Sequence, residues 1–84
     1  MSLISFSFLS LAKVHRFLAN TRRGFAENTR DCAMRFKREA HSNPDQKAAL
    51  LSSAAECEAA AAESEAAAEY YEVKAGIWEA GATR

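Results

Sequence analysis

The side chains of this 84-residue chain that could do chemistry are two histidines, two cysteines and eleven carboxylates. A metal centre needs donors a helical turn or a tight loop apart, as in C-x-x-C or H-x-x-x-H. Neither spacing occurs, and His15 and His41 stand 26 residues apart. No glycine-rich phosphate loop, Ser-His-Asp set or pair of catalytic carboxylates can be assembled. The glutamates of the second half fall on a regular solvated stripe, the ordinary pattern of an exposed helix face rather than of acid/base catalysis. The sequence therefore predicts no catalytic residue, no metal ligand and no cofactor, and the chain is not expected to be an enzyme.

Helices must position whatever function remains. Nineteen residues are alanine, the strongest helix former, while three glycines and one proline leave few turns for a sandwich, a barrel or a doubly wound sheet. Eleven basic residues offset eleven acidic ones, so no net field recruits nucleic acid, membrane or substrate. Cys32 and Cys57 are too few for a disulfide framework and read as small buried apolar residues in a reducing compartment. The apolar segment Leu3–Ala12 has no basic residue before it, is interrupted by serines, and at about ten residues is half of a bilayer span. A soluble cytoplasmic protein without membrane association is expected.

The strong punctuation is Ser42-Asn43-Pro44-Asp45. Asn43 suits an N-cap, Pro44 the first helical position, and Gln46 the far side of a capping box. This predicts a single all-α domain over 1–84, with helix 1 at about 3–41, a turn at 42–44, and helix 2 at about 44–80 capped by Gly81. Gly24 marks the point where helix 1 would kink or break.

Counting by sevens from Ala12 gives Ala19, Ala26, Ala33, Ala40, Lys47, Ala54, Ala61, Ala68, Ala75 and Ala82, so ten of eleven positions are alanine. A heptad kept through both helices is the pattern of coiled-coil packing, and alanine at a core position lets two backbones approach closely. With alanine at heptad position a, position e carries Arg16, Arg23, Arg30 and Lys37 in helix 1, and Glu58, Glu65, Glu72 and Glu79 in helix 2. Position e faces position e in an antiparallel pair, so the chain should fold as an antiparallel helical hairpin with matched edges. The expected register pairs Arg16 with Glu72, Arg23 with Glu65 and Arg30 with Glu58, leaving Lys37 opposite Leu51.

An alanine seam buries little area, and helix 1 carries a second apolar edge. Ile4, Leu11, Val14, Leu18 and Phe25, with Tyr70 and Ile77 of helix 2, form a candidate dimer or partner interface. Burying five or six such side chains is worth on the order of 10 kcal/mol before entropy at about 25 cal/mol per Å2. A twofold homodimer forming a four-helix bundle is the economical outcome.

The first half holds eight basic and three acidic residues, and the second half, from Pro44, holds three and eight. Pairing across the hairpin neutralises most of this. Arg22, Arg35 and Arg38 are not consumed by that pairing, and with His15 they are the candidate polar or nucleic-acid contacts. His15 and Arg22 sit at d positions of the seam, where they either line a polar pocket or snorkel past the alanines.

The leading expectation is a non-enzymatic protein–protein interaction module, a small accessory or inhibitor protein that binds and modulates another protein. Compact proteins of phages and mobile elements often share this size and lack of catalytic residues. The alternative is a small nucleic-acid-binding regulator that uses the basic face of helix 1.

Overall fold

The structure is a computed structural model that describes residues 3–83, so the ends of the expected 1–84 domain lie outside the described residues. Helix α1 spans Leu3–Ser42, a 3-10 turn spans Pro44–Gln46, and helix α2 spans Lys47–Ala82. The two helices pack side by side in opposite directions as an antiparallel hairpin, and no strand occurs among the described residues. At 1.5 Å per residue a 40-residue helix is about 60 Å long. The Cα envelope is accordingly a rod of 64 × 13 × 11 Å, with a radius of gyration of 18.8 Å. A compact chain of this length would have a radius of gyration near 12 Å. No helix among the described residues is long and apolar enough to cross a membrane.

The turn differs from the expected capping box. Asn43 (φ −127°, ψ 81°) makes no N-cap bond. It closes α1 instead: its backbone N–H donates to the Glu39 carbonyl at 2.9 Å, and its side-chain Nδ2 donates to the same oxygen at 3.1 Å. The last carbonyls of a helix lack intrahelical partners, and Asn43 satisfies one of them. An amide turned back onto α1 cannot also cap α2. Pro44 takes the first position of the 3-10 turn, and Gln46 forms no side-chain cap. Helix α2 therefore begins at Lys47, three residues later than expected.

Two glycines also depart from expectation. Helix α1 runs unbroken through Gly24. Gly81 does not cap α2, because no glycine adopts positive φ; the helix continues to Ala82 and ends on Thr83, whose N–H reaches the Ala80 and Gly81 carbonyls. What Gly81 provides is proximity. A Cβ there would stand 2.9 Å from the Phe8 ring, whereas one at Gly24 or Gly76 would meet nothing within 4 Å.

The core is made of methyl groups. The buried hydrophobic residues are Ala12, Ala19, Ala26, Ala33 and Ala40 on α1, and Ala54, Ala61, Ala68 and Ala75 on α2. Ser64 is the one buried polar residue among those described, and no large side chain is fully buried. The seven-residue spacing read from the sequence is thus the spacing of burial, with Lys47 at the turn exposed and Ala82 half-buried at the open end. The d positions flank this seam. Phe8, His15, Thr29, Phe36, Leu50, Cys57, Tyr71 and Trp78 are half-buried, while Arg22 is exposed. The Thr29 hydroxyl donates to the Phe25 carbonyl within its own helix at 2.7 Å, so its place at the seam leaves no stranded donor.

At the open end, away from the turn, aromatic rings flank the methyls of Ala12 and Ala75. Phe8 and Trp78 lie 5.4 Å apart between ring centroids. The His15 ring sits between Tyr71 at 6.0 Å and Trp78 at 6.5 Å, which puts it at the height of Ala75. The Trp78 indole N–H is buried without a hydrogen-bond partner.

Candidate functional site

The helical period distributes the remaining side chains over distinct faces. Since a and d meet at the seam, the e positions of both helices share one long edge of the rod and the g positions share the other, with c adjoining g at 100° per residue. The e edge is a ladder of four ion pairs: Arg16–Glu79, Arg23–Glu72, Arg30–Glu65 and Lys37–Glu58. Arg16 donates through both Nε and a terminal nitrogen to one Glu79 oxygen.

Every rung is displaced by one heptad from the expected register. Arg16, Arg23 and Arg30 pair not with Glu72, Glu65 and Glu58 but each with the next glutamate toward the open end, and Lys37 pairs with Glu58 rather than facing Leu51. The reason is the tilt of side chains toward the N-terminus of their helix. The α1 side chains lean toward the open end and those of α2 lean toward the turn. A basic residue on α1 therefore converges on the glutamate lying on its open-end side, and diverges from the glutamate at its own height.

The glutamates at equal height remain as more distant neighbours. The hydrogen bond from Arg23 holds the Glu72 carboxyl below its ordinary range, and Arg16 adds a Coulombic pull in the same direction. Glu65 is lowered in the same way, first by its bond from Arg30 and further by Arg23. The partner guanidiniums of Arg23 and Arg30 are raised, chiefly by these hydrogen bonds. About half of each ladder side chain is open to water, so the ladder specifies alignment more than it adds stability.

The opposite edge is apolar. Ile4, Leu11, Val14, Phe25, Tyr70 and Ile77 are exposed and Leu18 is half-buried. A groove of about 540 Å3 is lined by Ile4, Phe8, Ile77, Trp78, Ala80 and Gly81, and it joins the α1 and α2 members of this set on one face. Position g of α2 is small at Ser53, Ala60 and Ala67 and carries Lys74 nearer the open end. Lys74 lies over the Tyr70 ring at 5.7 Å.

Sequence reasoning left some of the exposed apolar surface unassigned. Leu3, Phe6 and Val73 are also exposed, as is Phe17 on the back of α1. Of the twelve large hydrophobic residues exposed among those described, nine lie in the open half of the rod, Phe25 lies just past its middle, and only Met34 and Leu51 lie well toward the turn. The signal was present as a decline in large apolar residues after Phe25, which a heptad count does not register. A second groove of about 420 Å3, lined by Phe6, Leu9, Lys13, Arg16 and Glu79 among others, makes the open end apolar on the ladder side as well.

The candidate polar contacts do not converge. The Nδ1–H of His15 donates to the Leu11 carbonyl at 2.7 Å, and the ring is held between two aromatics. Arg22 is exposed at its d position. Arg35 and Arg38 are exposed one turn apart, about 20 Å along the helix from Arg22. Both cysteines are free, and Cys32, expected to be buried, is exposed on the edge of the rod beside the seam, while Cys57 is half-buried. No group of three His, Cys, Asp or Glu among the described residues could hold a metal ion. Comparison with protein-family models, with curated proteins and with solved structures gives no match.

Proposed function

We propose that the protein is a non-enzymatic interaction module, a small helical accessory protein that self-associates and docks on another protein to modulate it. The observation that carries this reading is the inversion of the core: methyl groups are buried while most of the large apolar side chains are left outside. The accessible surface is 6129 Å2, whereas a compact 9.2 kDa chain would expose about 4,900 Å2. A contiguous apolar face of this kind marks an interface. The alanine seam is read as coiled-coil packing, with a second hairpin completing a four-helix bundle on Ile4, Leu11, Val14, Leu18, Phe25, Tyr70 and Ile77. The two free thiols fit a reducing compartment such as the cytoplasm.

Sedimentation equilibrium at micromolar concentration tests the reading. The expected mass is twice the 9.2 kDa of the chain, and Leu18→Glu with Phe25→Glu should give a monomer or an unfolded chain. A well-folded wild-type monomer would overturn self-association.

A second reading, a nucleic-acid-binding regulator, draws support from Arg22, Arg35 and Arg38, which are exposed and outside the ladder. Their dispersal weakens it, as does the acidic column of α2 beside the basic one. It requires a complex with DNA or RNA whose affinity falls steeply with salt.

A further inference from the structure

We propose that the outward side of the first half of α1 is a docking surface for anionic lipid, on which the rod rests without entering the bilayer core. The proposal goes beyond self-association and uses other residues, so the two can fail separately.

The surface follows from angle. At about 100° per residue, Leu3, Phe6, Ser10, Lys13 and Phe17 fall within about 80° of arc, over about 21 Å of helix axis. They occupy heptad positions f and b, on the side of α1 turned away from the seam. All five are exposed, and the apolar three strongly so: Leu3 86%, Phe6 63% and Phe17 69%. None of them belongs to the edge assigned to a second hairpin, so a dimer built on that edge leaves this strip in water. The groove of about 420 Å3 continues the strip from Phe6, Ser10 and Lys13 to the half-buried Leu9.

Charge identifies the occupant. From Leu3 to Ala26, α1 carries four basic residues and no acidic one. Arg16 and Arg23 are neutralised by Glu79 and Glu72, which are also the last two acidic residues of α2. Lys13 stands inside the strip and joins none of the four ion pairs. Leucine and phenylalanine around an unneutralised cation are what a helix needs to settle about 5–10 Å into the headgroup boundary, held by buried apolar area and by attraction to anionic lipid. Shape agrees with charge. Three large side chains standing apart along a helix would need three matched sockets in a rigid protein, whereas fluid lipid parts around each. The shortness of Leu3–Ala12 argues against a span, and no helix among the described residues crosses a membrane. Lying on a surface requires no such length, so the expectation of no membrane association does not reach this mode.

Flotation with vesicles tests the proposal. Vesicles of phosphatidylcholine and phosphatidylserine in equal parts should carry the wild-type protein up a density gradient. Phosphatidylcholine alone should carry on the order of tenfold less, and added salt should release the protein from the mixed vesicles. Phe6→Glu with Phe17→Glu should weaken partitioning about tenfold or more, and Lys13→Glu on the order of tenfold. Met34→Glu is the control. Met34 is equally a b position and 53% exposed, but it lies beyond Glu27 and Asp31, and its variant should float like wild type. Circular dichroism should show every variant as helical as the wild type, and sedimentation should show its association state unchanged. No flotation with the mixed vesicles, equal flotation with both kinds, or phenylalanine variants that float like wild type would overturn the proposal. So would a loss in Met34→Glu as large as that in Lys13→Glu. A wild-type monomer that floats would overturn self-association alone.

Discussion

Arg23 passes over Glu65, the glutamate nearest its own height, and binds Glu72 at 2.5 Å. The same choice repeats down the ladder, since side chains of antiparallel helices lean toward each other in one diagonal direction and apart in the other. The diagonal is therefore a consequence of chain direction rather than of the particular residues.

Charge reversal can read that diagonal. Arg23→Glu should lower the thermal midpoint, and adding Glu72→Arg should recover part of the loss by re-forming the pair with opposite sign. Adding Glu65→Arg instead should recover less. Equal recovery by the two second-site changes would mean that the ladder has no fixed diagonal in solution.

Acidification should weaken the hairpin through the same residues. Glu65 and Glu72 are held below their ordinary value of 4.5 by hydrogen bonds from Arg30 and Arg23. The unfolded chain takes up these protons more readily than the folded one. The contribution is therefore complete above the ordinary value and is lost as pH falls through it toward the depressed folded values. The raised arginines add nothing to this limb, because they stay charged in both states. Urea unfolding midpoints should be level near neutrality and fall below about pH 4.5, with a shallower fall at high salt. Glu65→Gln combined with Glu72→Gln should flatten the acid limb; an unchanged limb would rule out these carboxylates as its source.

The hairpin was legible where a rule of position sufficed. The alanine period named the buried residues because burial in paired helices depends on angle around the axis, and angle is fixed by residue count. The ladder was misaligned by a heptad because count gives backbone height and not side-chain lean. Asn43 was misassigned because an amide suits either side of a turn, and only the path of the chain shows that Glu39 takes it. Gly81 looked like a cap but serves the Phe8 ring, a contact between residues far apart in sequence. At the candidate site, the apolar edge through Leu11 and Leu18 could be read from spacing. The concentration of exposed apolar residues in the open half could not, since periodicity is blind to a gradient along the axis.

The seam itself should tolerate no added volume. Ala26 is fully buried between the helices, and Ala26→Leu must push them apart, at a cost of about 1–3 kcal/mol. Met34→Leu, on the exposed side of the same helix, serves as the control and should be nearly neutral. If Ala26→Leu melts with the wild type, close approach of the backbones is not what holds the hairpin.

A wall of identical methyls carries no record of position. Sliding one helix past the other by seven residues, about 10.5 Å, would lay alanine on alanine again and glutamate beside arginine again. Only the turn at one end and the Phe8–His15–Trp78 stack at the other mark where the slide must stop. Inserting one heptad into each helix at matching heights would therefore extend the rod by that increment with its cross-section unchanged. Length in this architecture is an independent variable, open to adjustment without redesign of the packing, and the spacing between whatever the two ends hold can be set by counting sevens.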